Sequence, residues 1–206
     1  MPDTPSAPRP SITSPDTQRP RRIPPGQSET KKWPVLHYGQ VPRINLDAWS
    51  FSIRGLVQNP LRLSFPQFRA LPWIDVHCDI HCVTRWSRLD NIFSGPSTRT
   101  LLDLAGPLDP AAKFVLIHCE QGFSTNLPLD EFLDTDCLFA LEHDHQPLTP
   151  DHGFPVRLVI PKLYFWKSAK WVRGIELLPQ DTPGFWEQNG YHMHGNPWTE
   201  ERYSWD

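Results

Sequence analysis

The sequence predicts an α+β domain that is rich in strands, with several small sheets and short helices between them. Three observations carry this. Apolar residues alternate with polar ones over short runs, Pro and Gly interrupt those runs, and no stretch sustains the 3.6-residue period of a long amphipathic helix. The 206 residues, 38% hydrophobic with nine Trp and eleven Phe, can bury a real core as one domain. No apolar run approaches the roughly 20 residues of a membrane span, so the chain is not expected to be membrane-embedded. A formal charge of −3 supplies no overall attraction to nucleic acid, which is not an expected partner.

Residues 1–28 read as a disordered Pro-rich tail, because eight of the 24 prolines fall in the first 25 residues and the first aromatic is Trp33. Arg21 and Arg22 are followed by IPPGQ where an export signal needs an apolar stretch of about 7–15 residues, so the expected location is cytoplasmic. The domain then occupies 29–206. Trp49, Phe51 and Ile53 alternate with polar neighbours toward Gly55, which predicts a half-buried strand. A short helix over 66–71 begins on a proline at its first turn. Helical pieces are expected at 100–105 and 129–133, and strands at 114–118, 156–160 and 170–177, the last with Trp171, Arg173, Ile175 and Leu177 on one face. There is no internal repeat and no Gly-rich phosphate loop, which excludes a doubly wound nucleotide fold.

Candidate chemistry concentrates in HCDIHCVTRWS at 77–87, where thiols and imidazoles stand beside a cation and an aromatic. The four cysteines, at 78, 82, 119 and 137, are even in number, but a domain of this size needs no disulfide staples and reduced thiols are expected. His77, Cys78, His81 and Cys82 offer zinc donors, yet no second Cys or His pair closes such a site. On a strand the two cysteines would face one way and the two histidines the other. Cysteines as buried apolar filler remain the alternative on this segment alone. In the second half, DHGFPVRLVIP at 151–161 and KSAKWV at 167–172 place Arg157, Lys167, Ser168 and Lys170 around two strands and their loop. A guanidinium fork, an ammonium and a hydroxyl can together grip a phosphate; ordinary surface cations at strand ends are the alternative.

Taken together, these segments resemble the sulfite oxidase superfamily of molybdopterin enzymes, and specifically its small single-domain bacterial members. The matching text runs from PPGQ at 24–27 through HCVTRWS at 81–87, the two segments just quoted, GFWEQNGYH at 184–192 and NPWTEERY at 196–203. The resemblance implies the mixed molybdopterin-binding fold of the sulfite oxidase type, and a Mo-molybdopterin cofactor with no dinucleotide and no haem in this chain. It implies two-electron oxygen-atom transfer on a small substrate: a sulfite-like anion, a sulfoxide or an N-oxide. Cys82 then binds molybdenum through its thiolate, and Arg85 lines the catalytic pocket with Thr84. His152 and Arg157 contact the cofactor, Ser168, Ala169 and Lys170 surround the pterin phosphate, and His37, Tyr38, His118 and Cys119 are further cofactor contacts. Cys78 has no role in the pattern. Phe123 stands where sulfite-oxidising relatives carry a tyrosine, which weighs against sulfite. Electrons are expected to pass to or from a separate haem or flavin protein. Two other readings stand beside this one: a molybdopterin carrier or storage protein, which needs Arg157, Ser168 and Lys170 but no open channel at Cys82, and a zinc-stabilised structural domain.

Overall fold

The computed structural model describes residues 9–205. In chain order its regular elements are β1 (Ser11–Thr13), β2 (Ser28–Glu29), β3 (Ser50–Gly55), β4 (Leu61–Ser64), α1 (Phe65–Arg69), β5 (Ile74–His81), β6 (Trp86–Gly95), α2 (Thr98–Leu104), β7 (Phe114–Cys119), β8 (Ser124–Pro128), α3 (Leu129–Phe132), β9 (Leu138–Ala140), β10 (Glu142–His143), β11 (Gln146–Pro147), β12 (Arg157–Val159), β13 (Val172–Leu178) and α4 (Phe185–Gln188). Three sheets form. One runs β1-β5-β6-β10-β11 with β2 also on β6, a second runs β4-β3-β13-β7-β8, and β12 pairs with β9 in the third. The class is the strand-rich α+β arrangement expected, with short helices between small sheets.

The alternation at 49–55 does what the pattern predicts. Phe51 and Ile53 of β3 are fully buried while Ser52 and Arg54 face away, and Phe51 packs on Phe68 of α1 and on Phe139 of β9, each at 5.0 Å between ring centroids. α1 starts one residue before its proline. There Gln67 Oε1 accepts a hydrogen bond from the Ser64 backbone N–H at 2.8 Å, which satisfies one of the amides a helix start leaves open. α2 begins two residues earlier than expected, because Ser97 Oγ caps it by accepting from Thr100 N at 3.0 Å. The main core lies between the β4-β3-β13-β7-β8 sheet, α1, α2 and the β9-β12 pair; a second core of Val76, Cys78, Ile80 and Phe93 underlies β5 and β6.

Residues 9–28, expected within a disordered tail, are built into the fold; residues 1–8 lie outside the described residues. β1 pairs in parallel with β5, Ser14 N donates to His77 O at 2.9 Å, and Ile12 packs on the second core. Composition misreads this segment because a Pro-rich chain that cannot make its own sheet can still take hydrogen bonds from the open edge of another. Its anchor is Arg22. β5 keeps strict alternation, with Val76, Cys78 and Ile80 in the second core; the bulge lies in β6, where Leu89 and Asp90 stand opposite Asp79, and Asp90 N donates to Asp79 Oδ1 at 3.0 Å. The Asp79 carboxylate is fully buried, and Arg22 meets it with two bonds of 2.8 and 2.6 Å. On the face of β5 that carries Asp79, His77 is partly exposed while His81 is buried, hydrogen-bonded through Nδ1 to Ser87 Oγ at 2.8 Å. Cys78 is core filler, its thiol pKa pushed well up by burial.

Replacing Arg22 with Ala strands the Asp79 charge, and urea unfolding is expected to show a loss of about 3 kcal/mol. Adding Asp79→Asn to the same chain should restore part of that loss.

Candidate functional site

The turn between β5 and β6 is where Cys82 sits. Cys82 N donates to Trp86 O at 2.8 Å and Arg85 N to Cys82 O at 3.0 Å, with Arg85 in the left-handed region at φ 72°. Both ends of the chain hold this turn: Gln27 Nε2 donates to Cys82 O at 3.0 Å, and Arg202 Nη1 to Val83 O at 2.7 Å. The Cys82 thiol is 8% exposed and 3.1 Å from Thr84 Oγ1. Burial pushes its pKa up, opposed by the Thr84 hydrogen bond.

Cys82 lines a cavity of about 350 Å³. Arg157, Ser168, Ala169 and Lys170 line the same cavity, brought there by β12 and the loop into β13. Gly153 makes the close approach possible. It holds φ at 111°, and a Cβ there would lie 3.0 Å from Arg157 Cβ and 3.2 Å from Lys170 Cβ. Arg157 is 1% exposed, donates from Nη1 to His152 O at 2.9 Å and from Nη2 to Ser168 O at 2.8 Å, and lies 4.2 Å over the Phe165 ring. Its Nε has no hydrogen-bond partner. Lys170 Nζ donates to Asp151 O at 2.6 Å. Among the described residues neither cation has a carboxylate partner within ion-pair distance, and burial lowers the Arg157 pKa to about 9 and that of Lys170 to about 7. His152 stacks on Trp33 at 3.8 Å between ring centroids, its pKa brought down to about 4 by burial first and Arg157 second. A buried Arg157 with an open N–H and a half-buried Lys170, neither facing an acid, are a donor set suited to an anion. The donor set fits a phosphate-bearing ligand on the cations and a soft metal on the thiol.

Of the residues the sequence nominated, Cys82, His37, Tyr38, His152, Arg157, Ser168, Ala169 and Lys170 line this one cavity. Arg85, His118 and Cys119 do not. Arg85 is exposed, with Nη1 beside Gly26. β7 alternates so that Cys119 enters the main core while His118 faces the other side of the sheet, 2.8 Å from the Glu176 carboxylate and 3.1 Å from Arg54. Lys167 is also turned away: it is fully buried, 2.7 Å from Glu187, and donates to Asn126 and Met193 carbonyls. Among the described residues no three His, Cys, Asp or Glu side chains gather where a metal ion could sit, so the zinc reading gains no ligand set. Sequence reasoning missed the aromatic walls, above all Trp33, Trp166, Trp186 and Tyr191; the available signal was the Trp count, which exceeds what the core uses.

The fold and this cavity define a molybdopterin-binding oxidoreductase. The model of the oxidoreductase molybdopterin binding domain matches residues 38–186, and the chain belongs to that family, as a small member of the sulfite oxidase superfamily. It is 50% identical over 186 residues to the uncharacterised oxidoreductase YuiH of Bacillus subtilis (strain 168), covering 90% of this chain and 93% of YuiH. It is 26% identical over 192 residues to the sulfite oxidase of Arabidopsis thaliana, covering 76% of this chain and 49% of the plant protein. The sulfane dehydrogenase SoxCD of Paracoccus pantotrophus superposes with a TM-score of 0.64 at 20% identity, over 70% of this chain and 41% of that one. The chain thus spans about half or less of these two larger proteins. No helix among the described residues is long and apolar enough to cross a membrane.

Because the Lys170 pKa falls to about 7 on folding, the unfolded chain binds more protons than the folded one between about pH 7 and the ordinary lysine value. The stability of cofactor-free protein should therefore gain a rising component with pH across 7 to 9. Urea midpoints at pH 7.5 and 9 should show this component in the parent and not in Lys170→Met.

Proposed function

We propose that the protein is a Mo-molybdopterin oxidoreductase carrying out two-electron oxygen-atom transfer on a small substrate. One observation carries the reading: a buried thiol, the buried Arg157 and the half-buried Lys170, both cations without acids, line the same cavity. The cofactor, when bound, supplies the two-electron chemistry at molybdenum. The chain's own residues do the rest. Arg157 and Lys170 hold the pterin phosphate, with Ser168 and the Ala169 backbone beside them, and His152 and Trp33 flank the pterin. Cys82 is the metal thiolate, held in aim by Gln27 and Arg202 through the backbone carbonyls of its turn. His37 and Tyr38 stand at the cavity mouth, where Tyr38 is 62% exposed. A mouth reaching toward Cys82 favours turnover over a carrier or storage role, because a carrier needs the cradle but no route to the metal.

The cofactor of this reading carries no nucleotide, the chain carries no haem, and electrons pass to or from a separate haem or flavin protein. The compartment is the cytoplasm, a reading supported by four buried thiols that stand unbridged.

Protein purified from a host that makes molybdopterin should contain about one molybdenum and one pterin per chain, and release of GMP or CMP on acid hydrolysis would contradict the nucleotide-free form. Cys82→Ser should retain pterin, lose turnover and shift the Mo(V) resonance, whereas Cys78→Ser should leave all three in place. Arg157→Ala removes charge-assisted bonds worth roughly 1.5–3 kcal/mol, which corresponds to about one to two decades of cofactor affinity. That variant should be folded but depleted in molybdenum, with the rate per occupied site unchanged; full occupancy would overturn the cradle assignment.

A further inference from the structure

The wall of the cavity beside Cys82 is aromatic. Cys82 and Val83 pack with Trp166, Trp186 and Tyr191. From there ring follows ring toward the mouth. Trp166 meets Tyr191 edge-on at 5.0 Å between centroids, Tyr191 stacks on Trp186 at 4.9 Å, Trp186 meets Phe185 at 5.1 Å, and Phe185 meets Tyr38 at 4.5 Å. All five line the cavity. The wall is set in place from beneath: Trp166 Nε1 donates to Glu187 at 2.8 Å, and Glu187 forms a fully buried ion pair with Lys167. α4 therefore points Glu187 inward while its neighbours Phe185 and Trp186 face the cavity.

No cation stands on this wall. Arg85 does not line the cavity, Arg202 is spent behind it on Val83 O, and the one acid at the rim, Glu120, is paired with Arg173 at 2.6 Å. Aromatic faces carry negative charge density, so they receive another ring or a positive group and disfavour a bare anion. Arg202 and Lys170 both lend the thiol positive field, but Lys170 and Arg157 are taken by the cofactor phosphate and Arg202 is held on Val83 O, so an inorganic oxyanion finds no cation lining the aromatic wall itself.

We infer that the substrate is a neutral aryl oxide, an aromatic ring bearing a polar S–O or N–O bond, whose ring stacks within the Trp166–Tyr191–Trp186–Phe185 wall while the oxygen points toward Cys82. This rests on the oxygen-transfer reading above and narrows it to one substrate class. In the net reaction the S–O or N–O bond breaks, the sulfur or nitrogen gains the electron pair, and the oxygen leaves as water with two protons from solvent. The two electrons come from a reduced haem or flavin protein; in the assay two equivalents of reduced benzyl viologen replace it.

The test titrates molybdopterin-loaded protein with methyl phenyl sulfoxide, pyridine N-oxide, dimethyl sulfoxide and sulfite. Tryptophan fluorescence reads binding and viologen oxidation reads turnover. The two aryl oxides should bind about tenfold or more tighter than dimethyl sulfoxide, with sulfite weakest. Trp186→Ala should bring the aryl-to-alkyl ratio close to one at full molybdenum content. Should that chain fail to fold, Phe185→Leu, which keeps apolar volume and removes a ring, should lower the same ratio. Equal affinity for methyl phenyl and dimethyl sulfoxide, or tightest binding of sulfite, overturns the inference. Dimethyl sulfoxide reduced without any aryl preference would sink the substrate class and leave oxygen transfer standing. Aryl oxides bound with the expected preference but never reduced would leave the binding wall standing and sink oxygen transfer.

Discussion

A guanidinium buried without an acid is the constraint around which the site is organised. Arg157 is 1% exposed, and its fold partners are two carbonyl oxygens and the faces of Phe165 and Trp33. Carbonyls and ring faces ease the desolvation of a cation without neutralising it. The local backbone is arranged to supply them: Gly153 takes a left-handed turn so that His152 O reaches Nη1, and the loop before β13 presents Ser168 O to Nη2. Lys170, held by the Asp151 carbonyl, adds a second uncompensated cation. The contrast with Lys167, three residues earlier, is instructive. There the fold supplies Glu187, and the lysine becomes part of the framework.

The division of labour follows from which charges are closed. Closed pairs hold the scaffold: Lys167 with Glu187 beneath the aromatic wall, Arg22 with Asp79 under the N-terminal segment. Open cations mark the ligand site. The aromatic residues then divide the cavity, Trp33 and Phe165 beside the cations, Trp166, Trp186 and Tyr191 beside the thiol.

Much of this was legible in the sequence where a local rule applies. Trp49, Phe51 and Ile53 announce β3 by alternation, and Pro66 announces α1. Cys82, Arg157, Ser168 and Lys170 stand in motifs whose order carries their meaning, and they meet in one cavity. What was not legible depends on non-local geometry. The bulge in β6 that sets the Asp90 N–H against the buried Asp79 carboxylate leaves no mark in HCDIHC, which lies on the neighbouring strand. Strand alternation sends Cys119 into the core and His118 to the far face, although the two are adjacent. Residues 9–28 look like tail because their hydrogen bonds are supplied by β5 and β6. The aromatic wall draws on residues 38, 166, 186 and 191, which only the folded chain brings together.

The clamp on the Cys82 turn sets the timing of assembly. Gln27 precedes that turn by 55 residues, and Arg202 follows Val83 by 119. During synthesis the thiol is made long before the arginine that fixes its turn exists, and Trp186 and Tyr191 of the enclosing wall are also late. The pocket therefore closes only after Arg202 has emerged. A chain truncated before Arg202 would present a loosely held Cys82 rather than a finished site.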